Sequence, residues 1–148
     1  MSSPRLTTSV PAGPDPATVR CPGCGSVLAL SPGDDPAATG PEAACARLFE
    51  ETLHGLREDA AADPAAAGVV ALADDAYALQ HADCATQALR ATLQALSTRL
   101  GEPAFPARST PPAVWRTTIA DVAADLDVID LPALVEAWAR AVVADWAT

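Results

Sequence analysis

The apolar residues of this chain recur mostly at helical spacing. After a loop rich in proline and glycine, one such series occupies positions three or four residues apart and would form one face of a helix: Cys45, Leu48, Phe49, Thr52 and Leu56. This helix is predicted to begin near Pro41 and Glu42, because proline suits a first helical turn and a carboxylate is stabilised at the positive end of the helix dipole. We expect it to end near Glu58.

The longest helical pattern follows an alanine-rich break at residues 62–68 and runs from about Val69 to Leu100, where Gly101 and Pro103 supply a stop signal. Its later half carries a leucine stripe: Leu89, Leu93, Leu96 and Leu100. A proline-rich loop follows. Thr118 and Asp121 resemble a capping box, which predicts a short helix through Leu126.

The last segment predicts a helix capped by Asp130, with Leu134, Trp138, Ala141 and Val142 on its inner face. Only residues 26–30 suggest a strand. The predicted fold class is therefore mainly α: a compact helical domain of about four helices with little or no strand. Residues 1–19, which are rich in Ser, Thr and Pro, are predicted to be a disordered arm, and residues 20–148 a single domain.

Composition and charge exclude several classes of protein. Hydrophobic residues make up 50% of the chain, but many are alanine and only 4% of residues are aromatic, so the core has few large side chains and a bound metal would help to stabilise it. The formal net charge of -10 argues against nucleic-acid binding. No apolar run approaches the roughly 20 residues of a membrane span, and the N-terminus lacks the apolar core of a secretory signal. We expect a cytoplasmic protein, in which disulfides are disfavoured.

Cys21-Pro-Gly-Cys24-Gly is typical of a metal-binding knuckle. Two intervening residues let both thiolates reach one ion, and the glycines permit the required turn. The same spacing also occurs in redox-active dithiols, but those begin a helix in a βαβ unit, which is not predicted here. We therefore expect an N-terminal zinc knuckle on the mainly helical domain, with Cys21 and Cys24 as half of a tetrahedral site.

Two further ligands must come from Cys45, Cys84, His54 and His81. Cys45 lies near the start of its helix, where the dipole stabilises a thiolate. Four residues with polar or ligating side chains share one face of the long predicted helix: Asp74, Tyr77, His81 and Cys84. Buried polar side chains on that face need partners, which either a bound metal or a hydrogen bond from His81 to Asp74 or Tyr77 would supply. His54 is off the stripe of Cys45 and is expected to be solvated.

The chain contains, in order, CPGCG, an isolated cysteine opening a helix, DAYALQH, a leucine-rich helix and a C-terminal helix with tryptophan. This order resembles a family of small bacterial proteins catalogued as domain of unknown function 5946, whose members tend to read CPxCG, SPGC and DAYAxQH. The resemblance covers about Arg20 onward and implies a shared ligand set: Cys21, Cys24, Cys45 and His81. This chain departs from it in having PEAAC for SPGC and no second histidine in the long helix, which leaves Cys84 as an alternate ligand.

Two functions follow, since the resemblance brings no established activity. In the first, a closed zinc site stabilises an accessory protein that binds a protein partner or a small molecule, with an apolar groove between the long helix and the Trp138 helix. In the second, the protein is a small zinc metalloenzyme, for example a biosynthetic one, with an open metal position or an adjacent substrate cavity. Asp74, Asp75 or Tyr77 would then be acid–base groups near His81. Neither the oligomeric state nor the substrate is indicated by the sequence.

Overall fold

The computed structural model describes residues 18–30, 40–103 and 105–147. These residues form one two-stranded sheet and five helices: β1 (Thr18–Arg20), β2 (Val27–Ala29), α1 (Pro41–Ala60), α2 (Pro64–Gln80), α3 (Gln87–Arg99), α4 (Ile119–Ala124) and α5 (Leu131–Ala147). The prediction of a mainly helical fold is confirmed. Among the described residues, no helix combines the length and the apolar composition needed to cross a membrane.

The two strands form an antiparallel hairpin around the cysteine knuckle, with Thr18 opposite Ala29. Val19 and Leu28 face each other and turn towards the core, while their neighbours along each strand are exposed. β2 lies within the segment that the sequence indicated as a strand. β1, in contrast, includes Thr18 and Val19, which were assigned to the arm, so this part of the prediction is corrected. The rest of the predicted arm lies outside the described residues.

Helix α1 begins at the predicted Pro41 and ends two residues beyond the predicted Glu58. Cys45 and Phe49 are buried as predicted, whereas Leu53 takes the inward position expected for Thr52. The Thr52 hydroxyl instead donates a hydrogen bond of 2.7 Å to the carbonyl oxygen of Leu48 in its own helix.

The single long helix predicted from Val69 to Leu100 is wrong, because α2 and α3 are separate helices divided at residues 81–86. Helix α2 begins earlier than predicted, where the Asp63 side chain accepts a hydrogen bond from the amide of Ala65 at 3.0 Å. It ends at Gln80, with His81 as its C-cap, and Thr86 caps α3 by accepting a hydrogen bond from the amide of Leu89 at 3.1 Å. The alanine-rich segment thus starts a helix, and the true interruption lies after the DAYALQH motif.

Helix α2 packs against both α1 and α5, and indole N–H groups hold its final turn. Trp146 donates to the carbonyl oxygen of Leu79 at 3.0 Å, and Trp138 donates to the Gln80 side chain at 3.1 Å. Both indole rings are completely buried. At this contact between α2 and α5, where the sequence predicted an apolar groove beside the Trp138 helix, both tryptophans are packed against the end of α2.

The short helix α4 carries the predicted capping box, in which the amide of Thr118 donates to the Asp121 carboxylate at 2.8 Å. This helix ends at Ala124, slightly before the predicted Leu126. It packs between α1 and α5, and the loop before it brings Trp115 to the cysteine knuckle.

Candidate metal centre

The ligand atoms of Cys21, Cys24, Cys45 and His81 all lie within 4.8 Å of one another. The first two come from the turn between β1 and β2, the third from the first turns of α1, and the histidine from the end of α2. The structure therefore brings together the four residues that the sequence predicted as ligands. This group of three thiols and one imidazole could hold a metal ion.

Three of the six distances between these ligand atoms match tetrahedral coordination. With metal–sulfur bonds of about 2.3 Å and a metal–nitrogen bond of about 2.0 Å, a regular tetrahedron places two sulfurs about 3.8 Å apart and a sulfur and a nitrogen about 3.5 Å apart. The Sγ atoms of Cys24 and Cys45 are 3.8 Å apart. His81 Nε2 lies 3.4 Å from Cys21 Sγ and 3.6 Å from Cys45 Sγ. Each of these three distances matches the ideal value within about 0.1 Å.

Backbone hydrogen bonds and glycines shape the knuckle turn. The amide of Cys21 donates to the Ser26 carbonyl oxygen at 2.9 Å, and the amide of Gly25 donates to the Cys21 carbonyl oxygen at 2.8 Å. Gly25 has a φ of 81°, a left-handed conformation that glycine adopts without a steric penalty. A Cβ atom on Gly23 would lie 2.5 Å from His81 Cδ2, so the absence of a side chain there lets the imidazole approach the two cysteines.

The His81 ring is oriented by its own helix and by aromatic stacking. Its Nδ1 lies 2.7 Å from the carbonyl oxygen of Tyr77. Since a carbonyl can only accept, Nδ1 carries the hydrogen, and in the neutral ring Nε2 presents its lone pair to the sulfurs. The ring also stacks on Tyr77, with 4.0 Å between centroids, and Tyr77 stacks on Phe49 at 4.1 Å. This stack connects α1 with the end of α2.

The thiol group of Cys45 and the sulfur of Cys24 share a proton unequally. The hydrogen bond from Cys45 lowers the pKa of Cys24 to about 3, and contacts with His81 and Ser26 act in the same direction. The same pairing, together with burial, raises the pKa of Cys45. Burial opposes the charged form of His81, but the Cys24 sulfur and the Tyr77 carbonyl outweigh it and raise the histidine pKa. The site thus stabilises a thiolate even before metal binds.

The three predicted acid–base candidates have other partners. Asp74 lies 2.7 Å from an Arg57 nitrogen, and Asp75 lies 3.1 Å from an Arg99 nitrogen, both in largely solvent-exposed ion pairs. Burial and a hydrogen bond to Cys45 raise the pKa of the Tyr77 hydroxyl. Asp74 and Asp75 therefore join helices at the surface, whereas Tyr77 contacts a ligand of the candidate site.

Two other candidate ligands lie outside the cluster. Cys84 is exposed in the α2–α3 connection, because the break after α2 removes it from the helical face it was predicted to share with His81. His54 is exposed on α1, as predicted, and its Nε2 lies 3.2 Å from the Glu58 carboxylate.

Several residues that support the site were not singled out from the sequence. Ser26 Oγ lies 3.1 Å from Cys24 Sγ, and the Trp115 indole donates to the Gly23 carbonyl oxygen at 3.1 Å. The position of Ser26 two residues after Cys24 was a usable local signal, since the turn returns the chain past the sulfur. Trp115 is 92 residues from Gly23, and no local pattern announces such a contact.

A surface cavity of about 430 Å³ adjoins the cluster. Cys21, Cys24 and His81 contribute to its lining, together with Trp115 and two consecutive prolines, Pro111 and Pro112. Cys45 does not line this cavity and is completely buried. The candidate site therefore has one face towards a cavity and one face towards the helical core.

Comparison with known proteins places the chain in a family. The model of the family of unknown function DUF5946 matches residues 19–109 and 97–147. The chain belongs to DUF5946. No curated protein and no solved structure matches it significantly. The matched region contains the five helices, all of the hairpin except Thr18, and all four residues of the cluster. The predicted membership of this family is confirmed, and the function of the protein must be argued from the site.

Proposed function

We propose that this protein binds one zinc ion through Cys21, Cys24, Cys45 and His81, and that the ion has a structural role. The observation that carries the proposal is the convergence of four ligand atoms within 4.8 Å. That separation has room for a single ion. Three thiolates and one imidazole in tetrahedral geometry favour zinc among the common biological metals. Four protein ligands also complete its coordination sphere, as in structural zinc sites.

The zinc would join three parts of the chain that are distant in sequence: the hairpin, α1 and the end of α2. We further propose that the resulting domain, residues 20–148, is a cytoplasmic accessory protein that acts by binding a partner. The reducing cytoplasm would keep the ligand thiols available. The ion pairs of Asp74 and Asp75 and the contact of Tyr77 with Cys45 support this role, because each candidate acid–base group has a structural partner. A chain that captures no macromolecule from the cells that produce it would contradict the partner-binding part.

Metal analysis of purified variants tests the zinc site. We expect one zinc per chain in the wild type and its loss in Cys21→Ser and His81→Ala. Cys84→Ser and His54→Ala are the matched controls, because both side chains are exposed and lie outside the cluster, and they should retain zinc. If Cys21→Ser and His81→Ala both keep stoichiometric zinc and an unchanged melting temperature, the proposed site is wrong.

A zinc enzyme is the second candidate, and the cavity of about 430 Å³ beside Cys21 and His81 is the observation in its favour. Catalytic zinc sites keep one coordination position for water or substrate. Cobalt substitution separates the two functions. A closed site should give the intense visible spectrum of four-coordinate cobalt, unchanged by added cyanide, whereas an open site should change its spectrum when cyanide binds. Tyr77→Phe would then retain the spectrum in a structural site and lose turnover in a catalytic one.

A further inference from the structure

Cys24 belongs to the lining of two surface cavities. One is the cavity of about 430 Å³ that also touches Cys21 and His81. The other, of about 360 Å³, shares Cys24 and Trp115 with the first and is also lined by Ser26. Cys45 lines neither cavity, and its exposed fraction is 0%. Cys24 has an exposed fraction of only 3%, but it belongs to the lining of both cavities. A small solute in either cavity is therefore next to Cys24, whereas neither of these cavities adjoins Cys45.

We propose that Cys24 is a site of oxidation by hydroperoxides and that Cys45 resolves the oxidised sulfur as a disulfide, with release of the zinc. The proposal rests on the proposed zinc site and adds a modification to it. The geometry that supports it is a pair of sulfurs 3.8 Å apart, of which Cys24 belongs to the lining of two surface cavities and Cys45 does not. The sulfurs must approach by about 1.8 Å to reach the disulfide bond length of about 2.0 Å.

The reaction balances in two steps. In the first, the Cys24 thiolate attacks the distal oxygen of the hydroperoxide, an S–O bond forms, the O–O bond breaks, and the leaving alkoxide or hydroxide takes a proton from solvent. In the second, the Cys45 thiolate attacks Cys24 Sγ and displaces hydroxide, which takes a second proton and leaves as water. Two thiolates are oxidised by two electrons in total, and one hydroperoxide is reduced to one alcohol, or water, and one water.

Cys45 is better placed than Cys21 to resolve Cys24. Cys45 Sγ lies 3.8 Å from Cys24 Sγ and belongs to α1, a different element from the knuckle turn. The knuckle turn is also fixed by the hydrogen bond from Gly25 to Cys21 and by the close packing of Gly23 against His81. A disulfide within the knuckle would have to distort this turn, whereas a disulfide from Cys24 to Cys45 follows an existing contact between the turn and α1.

The pairing has a structural consequence. A Cys24–Cys45 disulfide would keep the hairpin attached to α1 after the metal had gone, because it replaces the metal-mediated link between these two elements. Cys21 and His81 would no longer be joined by the zinc ion, so the hairpin would separate from the end of α2. Oxidation would therefore change the local structure around the knuckle reversibly, with reduction restoring the site.

Peptide mapping after peroxide treatment tests the assignment. Zinc-loaded Cys84→Ser protein, which lacks the exposed thiol, is treated with hydrogen peroxide while a chromogenic chelator reports free zinc. Cleavage after Arg20, Glu42 and Arg47 yields peptides 21–42 and 43–47, which separate Cys24 from Cys45. We expect release of one zinc per chain, loss of two hydrogens from the protein mass, and a disulfide that links the two peptides through Cys24. Dithiothreitol should restore zinc binding.

The outcomes separate this proposal from the zinc site itself. A chain that contains no zinc before peroxide is added contradicts the proposed function. A zinc-loaded chain that keeps its metal in peroxide, while a zinc-free sample of the same protein is oxidised, overturns the oxidation proposal alone. Release of zinc with a disulfide confined to peptide 21–42, or with Cys24 found only as an irreversible sulfonic acid, overturns the role of Cys45.

Discussion

Gly23 is the residue at which the knuckle and the histidine ligand approach most closely. A methyl group there would lie 2.5 Å from His81 Cδ2 and 3.2 Å from its Cγ. The ring cannot easily retreat, because its Nδ1 is bonded to Tyr77 and its face is stacked on the tyrosine ring. We predict that Gly23→Ala weakens zinc affinity by about 10- to 100-fold, the usual effect of disturbing groups that orient a ligand. Competition with a chromophoric chelator measures this loss.

Gly68→Ala is the matched control for this substitution. Gly68 lies within α2, and a Cβ atom there would meet nothing within 4 Å. Alanine should raise the free energy of unfolding by about 0.5–1 kcal/mol, because glycine is a poor helix former. Equal zinc affinities for Gly23→Ala and Gly68→Ala would contradict the proposed position of His81 in the site.

The paired sulfurs of Cys24 and Cys45 predict how zinc binding depends on pH. Zinc binds thiolates, so at neutral pH it must displace the proton of Cys45, whose pKa is raised, but none from Cys24, whose pKa is lowered to about 3. Binding should therefore release protons, and the apparent zinc affinity should rise with pH between about 5 and 8. Calorimetric titrations in two buffers of different ionisation enthalpy measure the release.

The stability of the protein should follow the same direction. In the zinc-free fold, the lowered pKa of Cys24 gives a stabilising contribution that is complete above its unfolded value near 9.0 and is lost as the pH falls towards about 3. The contribution of Cys45 depends on pH in the opposite direction. Its raised pKa means that the fold favours the protonated thiol, so this stabilising contribution is complete below about 9.0 and is lost as the pH rises above that value. In the zinc-loaded protein both sulfurs are thiolates, so acid removes the metal-derived stability. A zinc affinity that is constant between about pH 6 and 8 would exclude this ligand set.

At the scale of elements, Gln80 joins the end of α2 to two other parts of the fold. Its side-chain oxygen accepts from the Trp138 indole at 3.1 Å, and its nitrogen donates to the Thr117 carbonyl oxygen at 2.6 Å. Gln80→Leu would leave the buried Trp138 indole without its hydrogen bond and would also remove the bond to the partly buried Thr117 carbonyl. We predict a loss of about 1–3 kcal/mol in the free energy of unfolding, the usual cost of a buried polar group that is left unsatisfied. Chemical denaturation of the zinc-loaded protein measures it.

Gln94→Leu provides the control, because Gln94 is exposed on α3 and its side chain makes no recorded hydrogen bond in the described structure. Its effect should stay within about 0.5 kcal/mol. If the two leucine variants unfold at the same denaturant concentration, the Gln80 network does not contribute to stability as the geometry indicates.

The elements also show which features the sequence could predict. The start of α1 at Pro41 and the capping box of α4 were predicted correctly, because both depend on the preferences of neighbouring residues for helix ends. The division between α2 and α3 was missed, because residues 81–86 contain no glycine or proline and alanine favours helix. Thr86, an N-cap residue three positions before Leu89, was a local signal for the second helix. Strand β1 was missed because three residues become a strand only through their pairing with β2.

The candidate site was more predictable than the helix that carries its histidine. Cys21 and Cys24 are revealed by their spacing, and the family resemblance selected Cys45 and His81. His81 can reach the cysteines because α2 ends at Gln80, and this end of the helix was not predictable from the sequence. The distant bonds from the α5 tryptophans to Leu79 and Gln80 fix this end, and a single sequence carries no record of them.

For the whole molecule, the proposed zinc holds a small hairpin on a helical core that has its own buried contacts. The core side chains of α1 to α5 are almost completely buried, among them Leu53, Leu79, Leu96, Trp138 and Val142. The hairpin consists of two strands of three residues, too short to be stable by itself. Apart from the cluster, it is held by the burial of Leu28 and Leu30 and by the bond from Trp115 to Gly23. Loss of zinc should therefore release the hairpin before it unfolds the helices.

Hydrogen exchange of the zinc-free, reduced protein tests this unequal stability. We predict that the amides of residues 18–30 and 81–86 lose protection and exchange at rates close to those of an unfolded peptide, while α3 and α5 stay protected and far-ultraviolet circular dichroism shows most of the helix retained. The reason is that the proposed metal would supply the principal link for the knuckle and the end of α2, whereas α3 and α5 are stabilised by apolar burial of residues such as Leu96 and Val142. Cys84→Ser should behave like the wild type. Cooperative loss of protection in all five helices would mean that the zinc stabilises the entire domain, as it does in a zinc finger.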